Sequence, residues 1–136
     1  MANYSTADTL EKVSVSHMNN AHSDWLRALH FYKDELKVLS SRLTEIATKN
    51  TGKEVMVEVE HFENQFRIQL ENIHNLAHEI KANVALVALE AKANSAGYID
   101  GVLFTRHNEL STKFFYEEKI INELRHSFNQ FAAEWM

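Results

Sequence analysis

The sequence predicts an all-α fold, three long helices in an up-down-up bundle. Three observations carry that expectation. There is no proline and there are only three glycines in 136 residues, so the chain has few places to turn and must build a few long elements. Helix-forming residues dominate the longer stretches. Apolar residues also recur at intervals of three and four, the period of a helix face and of a coiled-coil seam.

The first element is expected to run from about Asn20 to Thr48. Its apolar face is His22, Trp25, Leu29, Tyr32, Leu36, Leu39, Leu43 and Ile46. Ser14, Val15, Ser16, Asn19 and Asn20 are weaker helix formers, so a break in this helix is expected near residues 14–20. Lys49-Asn50-Thr51-Gly52 interrupts the pattern. Thr51 followed by Glu54 reads as a capping box that starts the second helix. That helix carries Val55, Val59, Phe62, Phe66, Ile73, Ile80, Val84 and Val87 on one face. A second interruption from Asn94 to Gly101 holds two of the three glycines, and Asp100 is the expected cap of the third helix. The third helix presents Leu103, His107, Leu110, Phe114, Ile121, Leu124, Phe128 and Trp135.

Apolar residues make up 45 % of the chain, enough for one continuous core, and a single domain over 1–136 is expected. The formal charge of −5 is spread without a basic stripe, which argues against a nucleic-acid partner. The most apolar run, Val84 to Ala91, is too short to span a membrane. The first ten residues lack the order of a secretion signal, and a cytoplasmic location follows by default. With no cysteine in the sequence, disulfide and thiol chemistry are excluded. Neither a glycine-rich phosphate loop nor a nucleophile elbow is present, so the reading leans away from an enzyme.

Some apolar residues fall off the three seams: Ala28, Phe31 and Val38, then Val57, Ile68, Leu86 and Leu89, then Phe115, Tyr116 and Ile120. Exposed apolar surface of this kind marks interfaces. The leading expectation is a non-enzymatic bundle that works through protein–protein contact, as a homodimer.

Eight histidines motivate the alternative, a bundle that holds iron or zinc. Folding the helices back about residues 51 and 99 brings two sets to similar heights. One is His22, His78 and Glu118. The other is His30, Glu71 and His74, with Glu123 and His126. Glu71-x-x-His74 and Glu123-x-x-His126 resemble the ligand motifs of ferritin-like di-iron bundles. His74-x-x-x-His78, with His61 and Gln65 upstream, resembles the hemerythrin-like bundles. Both resemblances imply a fourth core helix that this chain lacks, and Gln65 stands where a ligating carboxylate would be wanted. The stretches Phe31 to Leu36, Glu60 to Phe66 and Asn122 to Phe128 resemble a family of small all-helical proteins of Bacteroidetes bacteria. That resemblance implies a helical bundle and brings no activity with it.

Overall fold

The computed structural model describes residues 15–93 and 101–136. They form an all-helical, up-down-up bundle of three helices: α1 (Val15–Lys49), α2 (Lys53–Ala93) and α3 (Gly101–Trp135). The break expected in the first helix is not there. α1 runs unbroken from Val15, because Ser16, Asn19 and Asn20 face solvent while Met18 is fully buried. The cost of those residues in an exposed helix position is only ~0.7 kcal/mol each at most. Burying a methionine outweighs it, at ~1.5–3 kcal/mol. Ser14, the interruption at residues 94–100 and the expected Asp100 cap lie outside the described residues.

The turn between α1 and α2 spans residues 50–52. The Met56 amide donates to the Gly52 carbonyl at 3.1 Å, so Gly52 rather than Thr51 occupies the N-cap position of α2. At the other side of the turn, the Asn50 side chain closes two helices at once. Its Nδ2 donates to the Ile46 carbonyl of α1 at 3.0 Å and to the Trp135 carbonyl of α3 at 3.2 Å. Helix ends leave carbonyls without partners; this amide serves that of Trp135 and adds a second donor to the Ile46 carbonyl, which already accepts the Asn50 backbone amide at 3.0 Å.

Buried positions recur at intervals of three and four, strictly so in α2. In α2 they are Val55, Val59, Phe62, Phe66, Gln69, Ile73, Leu76, Ile80, Asn83 and Val87. Such a repeat averages 3.5 residues and keeps one stripe facing inward along a helix.

The side chains gather into two compact units. Among the described residues, one comprises 15–28 together with 76–93 and 101–114. Here Trp25 stacks on His107, with ring centroids 5.0 Å apart, and on Phe114 at 5.9 Å. Met18 and Val87 form its apolar end, with Val15, Leu103 and Phe104 against them. The other unit comprises Leu29–Asn75 and Phe115–Met136. Its core is aromatic. Phe62 and Phe66 each meet Phe128 edge-on at 5.4 Å, and Phe131 lies 5.1 Å from Phe62. Each such pair adds ~0.5–1.5 kcal/mol beyond the area it buries. The Arg42 guanidinium lies 5.6 Å from the Phe128 ring centre.

Candidate functional site

The alternation along each helix places polar residues where the core would be apolar. Two groups result, one in each unit, and each is described by itself.

In the first unit, position 22 of α1, position 83 of α2 and position 107 of α3 converge as His22, Asn83 and His107, all buried. His22 Nε2 lies 3.3 Å from Asn83 Nδ2 and 3.4 Å from His107 Nδ1. A neutral imidazole nitrogen offers a single lone pair, and two neighbours crowd this one. Meanwhile His22 Nδ1 and Asn83 Oδ1 are buried without a partner. Burial, then the charge of His107, pushes the His22 pKa down to about 4. Burial, then His17, lowers that of His107. Both rings are therefore neutral at pH 7, because neither can be charged without losing hydration that nothing nearby replaces.

In the second unit, Gln69 of α2 faces Glu117 of α3, and both are buried. With the amide turned nitrogen-first, Gln69 Nε2 lies 3.1 and 2.6 Å from the two Glu117 carboxylate oxygens. Burial pushes the Glu117 pKa up to about 7. Toward the surface of the same unit, the Tyr32 hydroxyl donates to Glu118 Oε2 at 2.6 Å. Burial and that bond push the Tyr32 pKa up to about 12. Arg125 forms a two-pronged ion pair with Glu35, its Nε donating to Oε2 at 2.9 Å.

The sequence-predicted ligands are dispersed. His22 sits in the buried group just described. His78 is exposed. Glu118 is engaged by Tyr32. His30 pairs with Asp34 on its own helix at 3.4 Å. Glu71, His74, Glu123 and His126 are all exposed. Among the described residues, no group of three or more His, Cys, Asp or Glu side chains could hold a metal ion.

The register explains much of this. Folding about residue 51 puts His22 level with Ile80, and the observed partner Asn83 is within one turn. Folding about residue 99 puts Glu79 level with Lys119 and Gln69 level with Asn129. The observed partners are Lys113, at 3.1 Å, and Glu117, well over a turn away.

Three buried polar residues escape a reading of the sequence alone: Asn83, Gln69 and Glu117. A signal for them is nonetheless present. The apolar seam skips from Phe66 to Ile73 in α2 and from Phe114 to Ile121 in α3. Carrying the alternation across those gaps lands on Gln69 and Glu117, and carrying it past Ile80 lands on Asn83.

A groove between α1 and α2 is lined by Ser40, Thr44, Thr48, Met56 and Glu63. The Thr44 and Thr48 hydroxyls there donate to carbonyls one turn back, at 3.1 and 2.9 Å. No described helix is long and apolar enough to cross a membrane. Compared with known protein families, with characterised proteins and with solved structures, the chain matches none.

Proposed function

We propose that the protein is a non-enzymatic helical bundle that acts through protein–protein contact, and that its first partner is a second copy of itself. One observation carries the reading. Phe31, Val38 and Phe115 are 61 %, 59 % and 58 % exposed, where side chains of that size ordinarily lose half or more of their surface to a core.

Helical spacing puts them on one side of the second unit. Phe31 precedes Glu35 by four residues and Val38 follows it by three, so all three share a face of α1. Phe115 precedes Glu118 by three residues on α3. Glu35 and Glu118 are the residues through which α1 and α3 are bonded to each other, to Arg125 and Tyr32 respectively. The apolar side chains thus flank that polar seam.

A two-fold contact needs a patch complementary to itself. Phe31 and Val38, seven residues apart on one stripe, meet that need when two copies pack antiparallel, Phe31 of one against Val38 of the other.

Light scattering on the purified chain at tens of micromolar tests this. A dimer mass that falls to the monomer value in Phe31→Ser/Phe115→Ser supports the reading. A monomer mass for the unaltered chain refutes it.

A further inference from the structure

We propose that His22, Asn83 and His107 form a binding site for a divalent transition-metal ion such as zinc or cobalt, within the first unit and built from none of the residues invoked for self-association.

The geometry begins with an unresolved conflict. Three polar side chains from three helices meet at His22 Nε2, at 3.3 and 3.4 Å. That atom has one lone pair to give. If Asn83 Nδ2 and His107 Nδ1 both donate to it, two donors share one acceptor, and Asn83 Oδ1 stays buried with no partner. If the Asn83 amide is turned over, its oxygen replaces the nitrogen at 3.3 Å, and three lone pairs face one another with at most one proton among them. Each unmatched buried polar group is destabilising. A cation at the meeting point accepts a lone pair from each of the three side chains in that second arrangement, while His22 Nδ1 and the outer end of the Asn83 amide stay unmatched as they are without it.

The distances suit such an ion. Ligands ~2.0–2.1 Å from a tetrahedral zinc stand about 3.3–3.4 Å from one another. The separations around His22 Nε2 are 3.3 and 3.4 Å. The two imidazole rings also approach at an angle of 58°, with centroids 5.3 Å apart. That is shorter than rings meeting nitrogen to nitrogen head-on would give, so the two rings meet at a bend, as two imidazoles on one ion also would. Ligands to such metals are imidazole nitrogens and carbonyl oxygens, the donor types that His22, His107 and Asn83 carry. Two imidazoles and an amide oxygen leave a fourth position for water. His107 is the most accessible of the three, at 8 %, and gives the ion its approach.

Trp25 supplies a local reporter. Its ring lies 5.5 Å from His22 and 5.0 Å from His107. Paramagnetic cobalt(II) at the site quenches its fluorescence, and a Trp135→Phe background removes the other tryptophan.

The test titrates cobalt(II) chloride into the full chain in that background. Trp25 fluorescence and the visible cobalt band are followed together, with circular dichroism to confirm folding. The expected result is saturable quenching at one ion per chain, with a tetrahedral cobalt spectrum, and displacement by zinc. His22→Leu and His107→Leu keep the core filled and should each weaken binding at least tenfold. Asn83→Asp, which exchanges a neutral oxygen ligand for an anionic one, should tighten it at least tenfold. The exposed pair His74 and His78 is the main competing site, and His74→Ala/His78→Ala should leave the titration unchanged. Absence of quenching, persistence of the cobalt band in the folded His107→Leu protein, its loss in His74→Ala/His78→Ala, or weaker binding by Asn83→Asp would each overturn the proposal.

Discussion

Replacing Glu117 by glutamine isolates the effect of a carboxyl group held in the core. Burial raises the Glu117 pKa from 4.5 to about 7, so the folded state holds a proton that the unfolded chain has released at intermediate pH. Below pH 4.5 both states are protonated and the stabilising effect of the neutral group is fully present. As pH rises toward 7 the unfolded chain ionises first, and folding stability falls until the folded group has ionised too. A tenfold change in proton affinity corresponds to about 1.4 kcal/mol, so the full loss is on the order of 3 kcal/mol. Gln69, whose Nε2 reaches both carboxylate oxygens, favours the ionised form and trims that figure. Glu117→Gln keeps the size and the hydrogen-bonding face of the side chain but cannot ionise. Urea unfolding followed by far-ultraviolet circular dichroism, at intervals from about pH 4 to pH 8.5, measures both proteins. The variant minus wild-type difference should grow by about 2–3 kcal/mol between pH 4.5 and 8 and then level off. Taking the difference cancels every other titrating group. A difference that stays constant across that range would refute the argument that Glu117 is desolvated.

His22 should show the mirror image. Its pKa is pushed down from 6.5 to about 4, so metal-free wild type loses stability relative to His22→Leu as pH falls through that range, by on the order of 3 kcal/mol, in the same urea assay. Replacing His22, Asn83 and His107 together by leucine should raise the metal-free melting temperature, because it removes unmatched buried polar atoms while keeping the volume filled; a lower melting temperature would show the group to be net stabilising. Asn50→Ala removes the side-chain donor to Trp135, while the backbone amide of residue 50 still reaches Ile46, and should cost ~1 kcal/mol in urea unfolding. Phe128→Ala opens a hole in the aromatic core of the second unit and should cost ~3–5 kcal/mol.

The helices are legible in the sequence because their signal is periodic and local. Trp25, Leu29, Leu36 and Leu39 mark the buried face of α1 without reference to anything distant, and they are buried. The weak propensity of Asn19 and Asn20 is legible too, but it does not decide the outcome. Met18 and His22, one turn either side, are buried and hold the helix together from the inside. Register is only half legible. A three-residue turn leaves α1 and α2 little freedom, and His22 meets its partner within a turn of the expected height. The level of α3 against α2 is set by contacts distant in sequence, and nothing local to Glu71 or Glu123 records it. The candidate site lies in the part hardest to read. Asn83 and Gln69 look like surface residues until the three-four alternation is carried through them, and His22 has Asn83 and His107 as neighbours, not His78 and Glu118.

The three-four alternation, unbroken in α2, also limits how this chain can change in length. Removing one residue from the middle of α2 turns every later side chain by about 100°, which swings Asn83 and Val87 out of the interior and carries their neighbours in. Removing about seven, one full repeat, restores the stripe. Matched gains or losses of whole repeats in all three helices therefore preserve the seam, whereas a shift of one or two residues does not. Length in this fold comes in quanta, set by the repeat rather than by the size of the core.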